Sequence, residues 1–136
     1  MCIRDRILEE HLGGDAGPPD DYKIFMFDGK PAYVQWDTAR FAGHTRRLYD
    51  PDWYPLDVHC VHPTAAPRPR PATLDRMLEV AADISAGFDF VRVDLYDVAG
   101  TVWFGEISPC ASGGLEPFYP LEFDRALGEL WHQVLD

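Results

Sequence analysis

The chain has 136 residues, of which 46% are hydrophobic and 13% aromatic, and its formal net charge is -11. This composition is typical of one globular domain with a substantial core, and not of a disordered segment. The acidic balance argues against binding to a nucleic-acid backbone or to an anionic membrane surface, because both need clustered Lys and Arg. Small anionic ligands stay compatible with the composition, since a few local cations can hold them.

Cysteine usage and hydropathy indicate a reduced, cytoplasmic protein. The three cysteines are odd in number and widely spaced, which predicts neither a disulfide framework nor a thiolate metal cage. No stretch approaches the apolar length of a membrane-spanning helix. The charged start also lacks the apolar core of a signal peptide, so we expect no membrane insertion.

The first six residues, MCIRDR, resemble the translation of a transposon-end adapter used in sequencing libraries. We therefore expect residues 1–6 to be non-native and residues 7–136 to be a fragment of a protein that continues upstream. The alternative is a charged helical N-terminus whose polar side chains are simply solvated.

The next signals along the chain predict a β-hairpin followed by a long loop. Strands are expected over roughly Tyr22–Phe27 and Ala32–Trp36, because Asp28-Gly29 separates two β-rich runs. Residues 38–71 show little periodicity, which is typical of a functional or mobile loop. Its Pro-rich part, residues 66–71, can also be a plain extended linker.

Two amphipathic helices are predicted in the second half. Thr73 is a candidate N-cap before apolar residues at helical spacing, and Gly87 stands where a C-terminal cap is expected. A final helix is predicted over Leu121–Leu135. Because hairpins dominate over crossover units, the fold class expected is α+β with an antiparallel sheet.

A second hairpin, RVDLYDVAGTVWFGEIS over Arg92–Ser108, carries one acid in each apolar run. A three-residue loop ending at Gly100 puts Asp94 opposite Phe104 and makes Glu106 its diagonal neighbour on the same face. Such diagonal residues lie roughly 7–8 Å apart, so both carboxylates can reach one divalent ion.

Other outcomes for these acids stay open. A two-residue loop puts the two acids on opposite faces, and a solvated edge hairpin with an Arg92–Glu106 ion pair needs no ligand at all. If the acids do converge, Ser108 lies on the same face, and oxygen ligands of this kind suit Mg²⁺. Thiolate and imidazole ligands are missing nearby, so Zn²⁺ is not favoured.

The order of these motifs resembles the ATP-grasp proteins of the teichuronopeptide-biosynthesis (TupA-like) type. The resemblance rests on ILEEHL, DDYKIFMFDGKPAYVQWDTARF, YDPDW, FVRVDLYDVAGTVWFGEIS and SGGLEPFYPLEFDRALGEL, and it covers nearly all the chain after Arg6. It implies the C-terminal subdomain of an ATP-grasp fold, an antiparallel sheet of hairpins flanked by helices, over residues 7–136. The N-terminal half of the same protein is then missing.

The resemblance also implies roles for individual residues. The adenine hinge matches Glu9, Glu10 and Leu12, although the two glutamates can also be ordinary helix-surface acids. The metal ligands match Asp94 and Glu106, with Ser108 where many family members have Asn. The basic residues near the transferred phosphate match Lys23 and Arg40, while Lys23 can also form a surface pair with Asp21. Further candidates are Arg92, Arg46, Arg47 and the loop Ser112–Gly114.

The activity implied is an ATP- and Mg²⁺-dependent carboxylate–amine ligase that acts through an acyl-phosphate in cell-surface polysaccharide or teichuronopeptide-type polymer synthesis. Its partners are a nucleotide and a small-molecule or polymer carboxylate. The chain alone is expected to be an incomplete, inactive half that binds Mg-ATP weakly. Two alternatives are a metal-dependent hydrolase and a non-catalytic carbohydrate-recognition or structural module, whose aromatic platform is Trp36, Tyr49, Trp53, Tyr54 and Trp103.

Overall fold

The computed structural model of the chain describes residues 12–13, 17–39 and 41–132. Within these residues, five strands form one sheet in the order β3-β2-β1-β4-β5, and every neighbouring pair is antiparallel. This confirms the α+β expectation. The elements are β1 Asp21–Phe27, β2 Lys30–Thr38, β3 Thr45–Tyr49, α1 Leu74–Ile84, β4 Phe90–Val98, β5 Thr101–Ser108, a short 3₁₀ turn Ala111–Gly114 and α2 Leu121–Leu130.

The Asp-Gly turn between β1 and β2 forms as predicted. Asp28 and Gly29 both have positive φ, at 47° and 73°, which is the conformation of a type I′ turn. This turn matches the right-handed twist of the flanking strands, and it starts β2 slightly earlier than the sequence indicates. The hairpin places β1 in the centre of the sheet, with β2 on one side and β4 on the other.

Helix α1 covers one face of the sheet. The apolar residues of the central strands alternate with polar ones, so that Ile24, Val34 and Val93 point to the same side. Leu74 and Met77 of α1 pack there, and all five are fully buried. We call this side the first face. We call the other side of the sheet the second face. The polar residues of β1, β2 and β4 lie there.

An aromatic cluster occupies one half of the second face. Phe25 stacks on Tyr33 with ring centroids 4.1 Å apart, and Phe118 meets both rings edge-on. Phe123 and Leu127 bring α2 against this cluster. In the described part of the chain, helix packing therefore covers the first face and only the aromatic half of the second face.

Several expectations about loops and helix ends need correction. Residues 38–71 contain a strand, β3, and the Pro-rich part is fixed, because Arg68 stacks over Trp36 at 4.7 Å and pairs with Asp20 at 3.0 Å. Thr73 makes no capping hydrogen bond, since its hydroxyl donates to Asp97 Oδ2 instead. Helix α2 ends at Leu130, where a longer helix was expected, and residues 133–136 lie outside the described ones.

Membrane crossing is not indicated by the helices. None of those in the described residues has the length and apolar character that a membrane span needs.

Candidate functional site

Two rows of polar side chains cross the second face next to the aromatic cluster. Strand pairing brings one residue of each strand into line, and alternate residues of a strand share a face. The first row is Arg46, Asp37, Asp21 and Tyr96, and the second row is Gln35, Lys23, Asp94 and Glu106. We call these eight residues the charged half of the second face.

A boundary row separates the charged half from the aromatic cluster. It runs Tyr33, Phe25, Arg92 and Ser108 across four strands. Successive rows on one face are about 7 Å apart, because two residues of an extended strand span that distance. Arg92 and Ser108 therefore lie one row from Asp94 and Glu106.

The β4–β5 turn differs from the prediction that a three-residue loop ends at Gly100. The loop has two residues, Ala99 and Gly100, with φ of 52° and 79°, and Val98 pairs with Thr101. The predicted pairing of Asp94 with Phe104 is wrong for the same reason. A two-residue loop without further irregularity pairs Asp94 with Gly105 and turns Glu106 to the opposite face.

A β-bulge at Gly105 restores the convergence of the acids. The register shifts by one residue between Asp94 and Leu95, so Asp94 lies directly opposite Glu106. A Cβ on Gly105 would stand 2.9 Å from Tyr96 Cε2 and 3.0 Å from the Asp94 carbonyl oxygen. The sequence signal was available, because a single Gly inside a strand pattern is typical of a bulge or of close backbone approach.

Asp94 is a buried carboxylate held by two cations. It is 1% exposed, and its Oδ2 lies 2.6 Å from Lys23 Nζ. Arg92 donates from Nε to Oδ1 at 2.7 Å and from Nη2 to Oδ2 at 2.8 Å. The predicted Lys23–Asp21 pair does form, at 3.4 Å, but it is not at the surface, because Lys23 is 7% and Asp21 4% exposed. Lys23 lies closer to Asp94 than to Asp21.

Arg92 connects all three predicted metal ligands. Besides Asp94, its Nη2 donates to Glu106 Oε1 at 3.0 Å and to Ser108 Oγ at 3.1 Å. Carboxylates directly opposite each other across a ladder repel, so a shared cation stabilises this arrangement. Burial alone lowers the pKa of Arg92, but hydrogen bonds and charge from Asp94 outweigh it and raise the pKa above its usual value. The Arg92–Glu106 ion pair of the edge-hairpin alternative does form. The solvated face of that alternative does not, because Asp94 is buried.

The donor chemistry of this group suits Mg²⁺. It consists of carboxylate and hydroxyl oxygens, and Mg²⁺ is commonly held by one or two carboxylates together with phosphate oxygens and water. No group of three or more His, Cys, Asp or Glu side chains that could hold a metal ion occurs among the described residues. The set therefore fits a metal that is shared with a phosphate ligand, and not a cage made by the protein alone.

Arg46 organises the other end of the charged half. It forms a bidentate pair with Asp37, with Nε to Oδ1 at 2.6 Å and Nη2 to Oδ2 at 3.1 Å. Its Nη1 reaches Cys60 Sγ at 3.1 Å and Glu116 Oε2 at 3.3 Å. Burial raises the pKa of Asp37, but the hydrogen bonds and charge of Arg46 outweigh it, so this pKa lies below its ordinary value.

Arg47 lies away from this cluster. Arg47 follows Arg46 in β3, so the two residues lie on opposite faces of the sheet. Arg47 is paired with Trp36, whose ring belongs to the core on the first face. Its Nε donates to the Ala65 carbonyl oxygen at 2.5 Å. Of the two arginines, only Arg46 joins the charged half.

Other predicted site residues have mixed placements. Glu9, Glu10 and Arg40 lie outside the described residues, and Leu12 is described as half-buried. In the loop Ser112–Gly114, the Gly113 amide already donates to the Cys110 carbonyl oxygen at 3.2 Å.

The five residues of the aromatic platform do not share one exposed surface. Trp36, Tyr49 and Trp53 are each less than 10% exposed, and the last two stack with centroids 3.9 Å apart. Tyr54 and Trp103 are exposed. The platform predicted for a carbohydrate-recognition module is therefore wrong, because three of its members belong to the core.

Comparison with known proteins is consistent with this geometry. A family model described as TupA-like ATPgrasp matches residues 2–132. No curated protein and no solved structure matches the chain significantly. The match spans well over half of the sequence, and the resemblance carried by the motifs points the same way. The chain belongs to the TupA-like ATP-grasp family.

Proposed function

We propose that the charged half of the second face contributes to an ATP- and Mg²⁺-dependent ligase that joins a carboxylate to an amine. One observation carries the proposal: Asp94, Glu106 and Ser108 converge on a single cationic group, next to Lys23. Family membership supports a ligase of the ATP-grasp kind. The setting we propose is the cytoplasmic synthesis of a cell-surface polysaccharide or teichuronopeptide-type polymer.

The metal ligands in this proposal are Asp94, Glu106 and Ser108. Bound there, Mg²⁺ would neutralise charge on the ATP phosphates and so favour transfer of the γ-phosphoryl group. Arg92 donates to all three proposed ligands, so its guanidinium occupies the space between them and would have to move for a metal to bind there. The displaced side chain lies one row from Asp94 and becomes available for a phosphate or substrate carboxylate oxygen.

The basic residues position the reactants. Lys23 fixes the orientation of Asp94 through its 2.6 Å contact, and its charge lies where phosphate oxygens would approach. Arg92 and Lys23 are thus the proposed catalytic residues of the described chain, and Arg40 stays a proposed third. In the reaction, a carboxylate oxygen attacks the γ-phosphorus and ADP leaves. The unprotonated amine then attacks the acyl carbon. The bond between that carbon and the phosphate oxygen breaks, phosphate leaves, and the nitrogen releases a proton.

This proposal includes a further half of the protein. The family resemblance assigns residues 7–136 to the C-terminal subdomain, and phosphate-gripping lysines are expected upstream. Because one half supplies only part of the contacts, we expect this chain alone to bind Mg-ATP weakly and to be inactive.

The test is Mg²⁺-dependent release of ADP by the longer protein carrying single substitutions. Glu106→Gln keeps the shape of the side chain and removes its charge, so we expect turnover to fall at least about 100-fold, as when a transition-state charge partner is removed. Glu79→Gln, on an exposed position of α1, is the matched control and should keep full turnover. Wild-type turnover by Glu106→Gln would refute the assignment of the metal site.

A further inference from the structure

A cavity of about 320 Å³ lies between the aromatic cluster and α2. Its walls are mostly apolar, and Leu127 of α2 and Trp131, the residue after that helix, close one side. Aromatic and aliphatic walls with a few polar groups are the common composition of small-molecule sites. The phenylalanines of the wall are Phe25, Phe27, Phe90 and Phe118.

Tyr33 gives this cavity an unused polar group. The side chain is fully buried and lines the cavity, yet its hydroxyl has no hydrogen-bond partner among the residues that the structure describes. Buried polar groups are nearly always paired, so an unpaired phenol is unusual and points to a missing ligand. Burial raises the pKa of Tyr33 well above its ordinary value, so the group remains a neutral hydroxyl that can donate and accept.

The charged residues that line the cavity favour a positively charged ligand. Among the described residues that line it, Glu116 and Asp124 are the charged ones, and both are acidic. Asp124 Oδ1 accepts only a long contact of 3.4 Å from the Phe118 amide, whereas Glu116 Oε2 also meets Arg46 at 3.3 Å. Two carboxylates beside apolar walls disfavour an anion and favour a cationic group with an apolar body.

The cavity is also adjacent to the proposed reaction site. Tyr33 and Arg92 flank Phe25 in the boundary row, and Arg92 contacts Asp94 in the next row. Phe25, a wall residue of the cavity, therefore lies one row, or about 7 Å along the strand, from the row that holds Lys23, Asp94 and Glu106. That separation is within reach of one end of a small ligand.

We propose that this cavity binds the amine acceptor of the ligase, and that the acceptor is a primary amine carried on an apolar or aromatic body. Its ammonium N–H groups donate to the carboxylates of Asp124 and Glu116 and to the hydroxyl oxygen of Tyr33. Its body packs against the aromatic walls. This assignment rests on the proposed ligase function, but binding of the amine requires neither ATP nor metal.

The experiment is a backbone-amide NMR titration of this 136-residue chain, without nucleotide or metal. Three probes share a ring and a two-carbon chain: 2-phenylethylamine, 2-phenylethanol and 3-phenylpropionate. We expect the amine to bind at least about tenfold more tightly than the alcohol, since a charge-assisted hydrogen bond is worth about 1.5 kcal/mol or more. The shifts should map to Tyr33, Phe118 and α2, and the acid should not bind.

Two conservative variants test the polar contacts. Tyr33→Phe keeps the stacked ring and Asp124→Asn keeps the shape of the side chain, and each should weaken amine binding several-fold. Glu122→Gln, exposed in the same helical turn and away from the cavity, is the control and should bind as the wild type does. The proposal is overturned if the alcohol binds as tightly as the amine, if the shifts map elsewhere, or if no probe binds. Weak amine binding together with full ADP release would overturn this proposal and leave the ligase function intact.

Discussion

Asp94 and Glu106 face each other across a ladder but have opposite environments. Asp94 is 1% exposed and paired with two cations, whereas the Glu106 side chain is 64% exposed and meets only one of them. Residue types alone suggest two equivalent ligands. The structure shows one carboxylate fixed inside the protein and one at the solvent, which is a difference of burial that local sequence patterns do not carry.

Neutralising each acid should therefore affect folding differently. We expect Asp94→Asn to lower the free energy of unfolding by about 3 kcal/mol, because Lys23 and Arg92 then lose the buried carboxylate that they contact most closely. Glu106→Gln should change it by less than about 0.5 kcal/mol, as exposed substitutions usually do. Urea denaturation of both variants at neutral pH measures this. Equal losses would contradict the structural difference.

The Asp37–Arg46 pair predicts a pH dependence. The pKa of Asp37 lies below the ordinary 3.8 because of Arg46, so the folded chain binds fewer protons here than the unfolded chain. The stability from this pair is fully present above 3.8 and is lost as pH falls through the lowered folded pKa.

The comparison uses wild type and Asp37→Asn in denaturation series from pH 7 to pH 2. The variant should be less stable by about 3 kcal/mol at pH 7, because Arg46 loses a buried partner. The difference should shrink in acid, because below pH 3.8 the unfolded wild-type chain takes up a proton at Asp37 before the folded chain does. A constant difference across the series would show that charge on Asp37 does not cause it.

At the scale of elements, the sequence predicts the first turn and helix α1 correctly, but it does not predict the bulge at Gly105. The Asp28-Gly29 turn and helix α1 followed directly from Asp-Gly and from helical spacing. The second hairpin was assigned the wrong loop, because Gly100 fits both a two-residue turn and the end of a three-residue loop. The bulge at Gly105 determines the face on which Glu106 lies. Strand β3 was not predicted, because its pairing with β2 is a contact between distant segments.

Substituting Gly105 should disturb the register of β5. In Gly105→Ala the new methyl group meets the Asp94 carbonyl and the Tyr96 ring, so we expect a loss of about 1–3 kcal/mol, typical of overpacking. Amide NMR should show changed pairing from Glu106 to Ser108. Gly128→Ala in α2, with open space around the new Cβ, is the control and should gain up to about 1 kcal/mol. Unchanged β5 pairing in Gly105→Ala would contradict the role of the bulge.

At the scale of the whole molecule, a net charge of -11 coexists with a local concentration of buried cations. The sheet gathers Lys23 and Arg46 in the charged half and Arg92 in the adjoining boundary row, although the three are far apart in the sequence. The family resemblance indicated most of this set, and the hairpin pattern already allowed an Arg92–Glu106 ion pair. The sequence could not show that Arg92 also pairs with the buried Asp94. That placement depends on side-chain packing across four strands.

The measurement that tests the central claim most directly is paramagnetic broadening of amide signals by Mn²⁺ in this chain, with and without excess ATP. Mn²⁺ substitutes for Mg²⁺ at oxygen ligands, and NMR detects even weak binding of the kind that we propose for this chain alone. The account predicts nucleotide-dependent broadening centred on Asp94, Glu106 and Ser108, and its loss in Glu106→Gln. Broadening that is the same with and without ATP, or that centres on other acidic surfaces, would contradict the claim that these residues hold a metal against ATP phosphates.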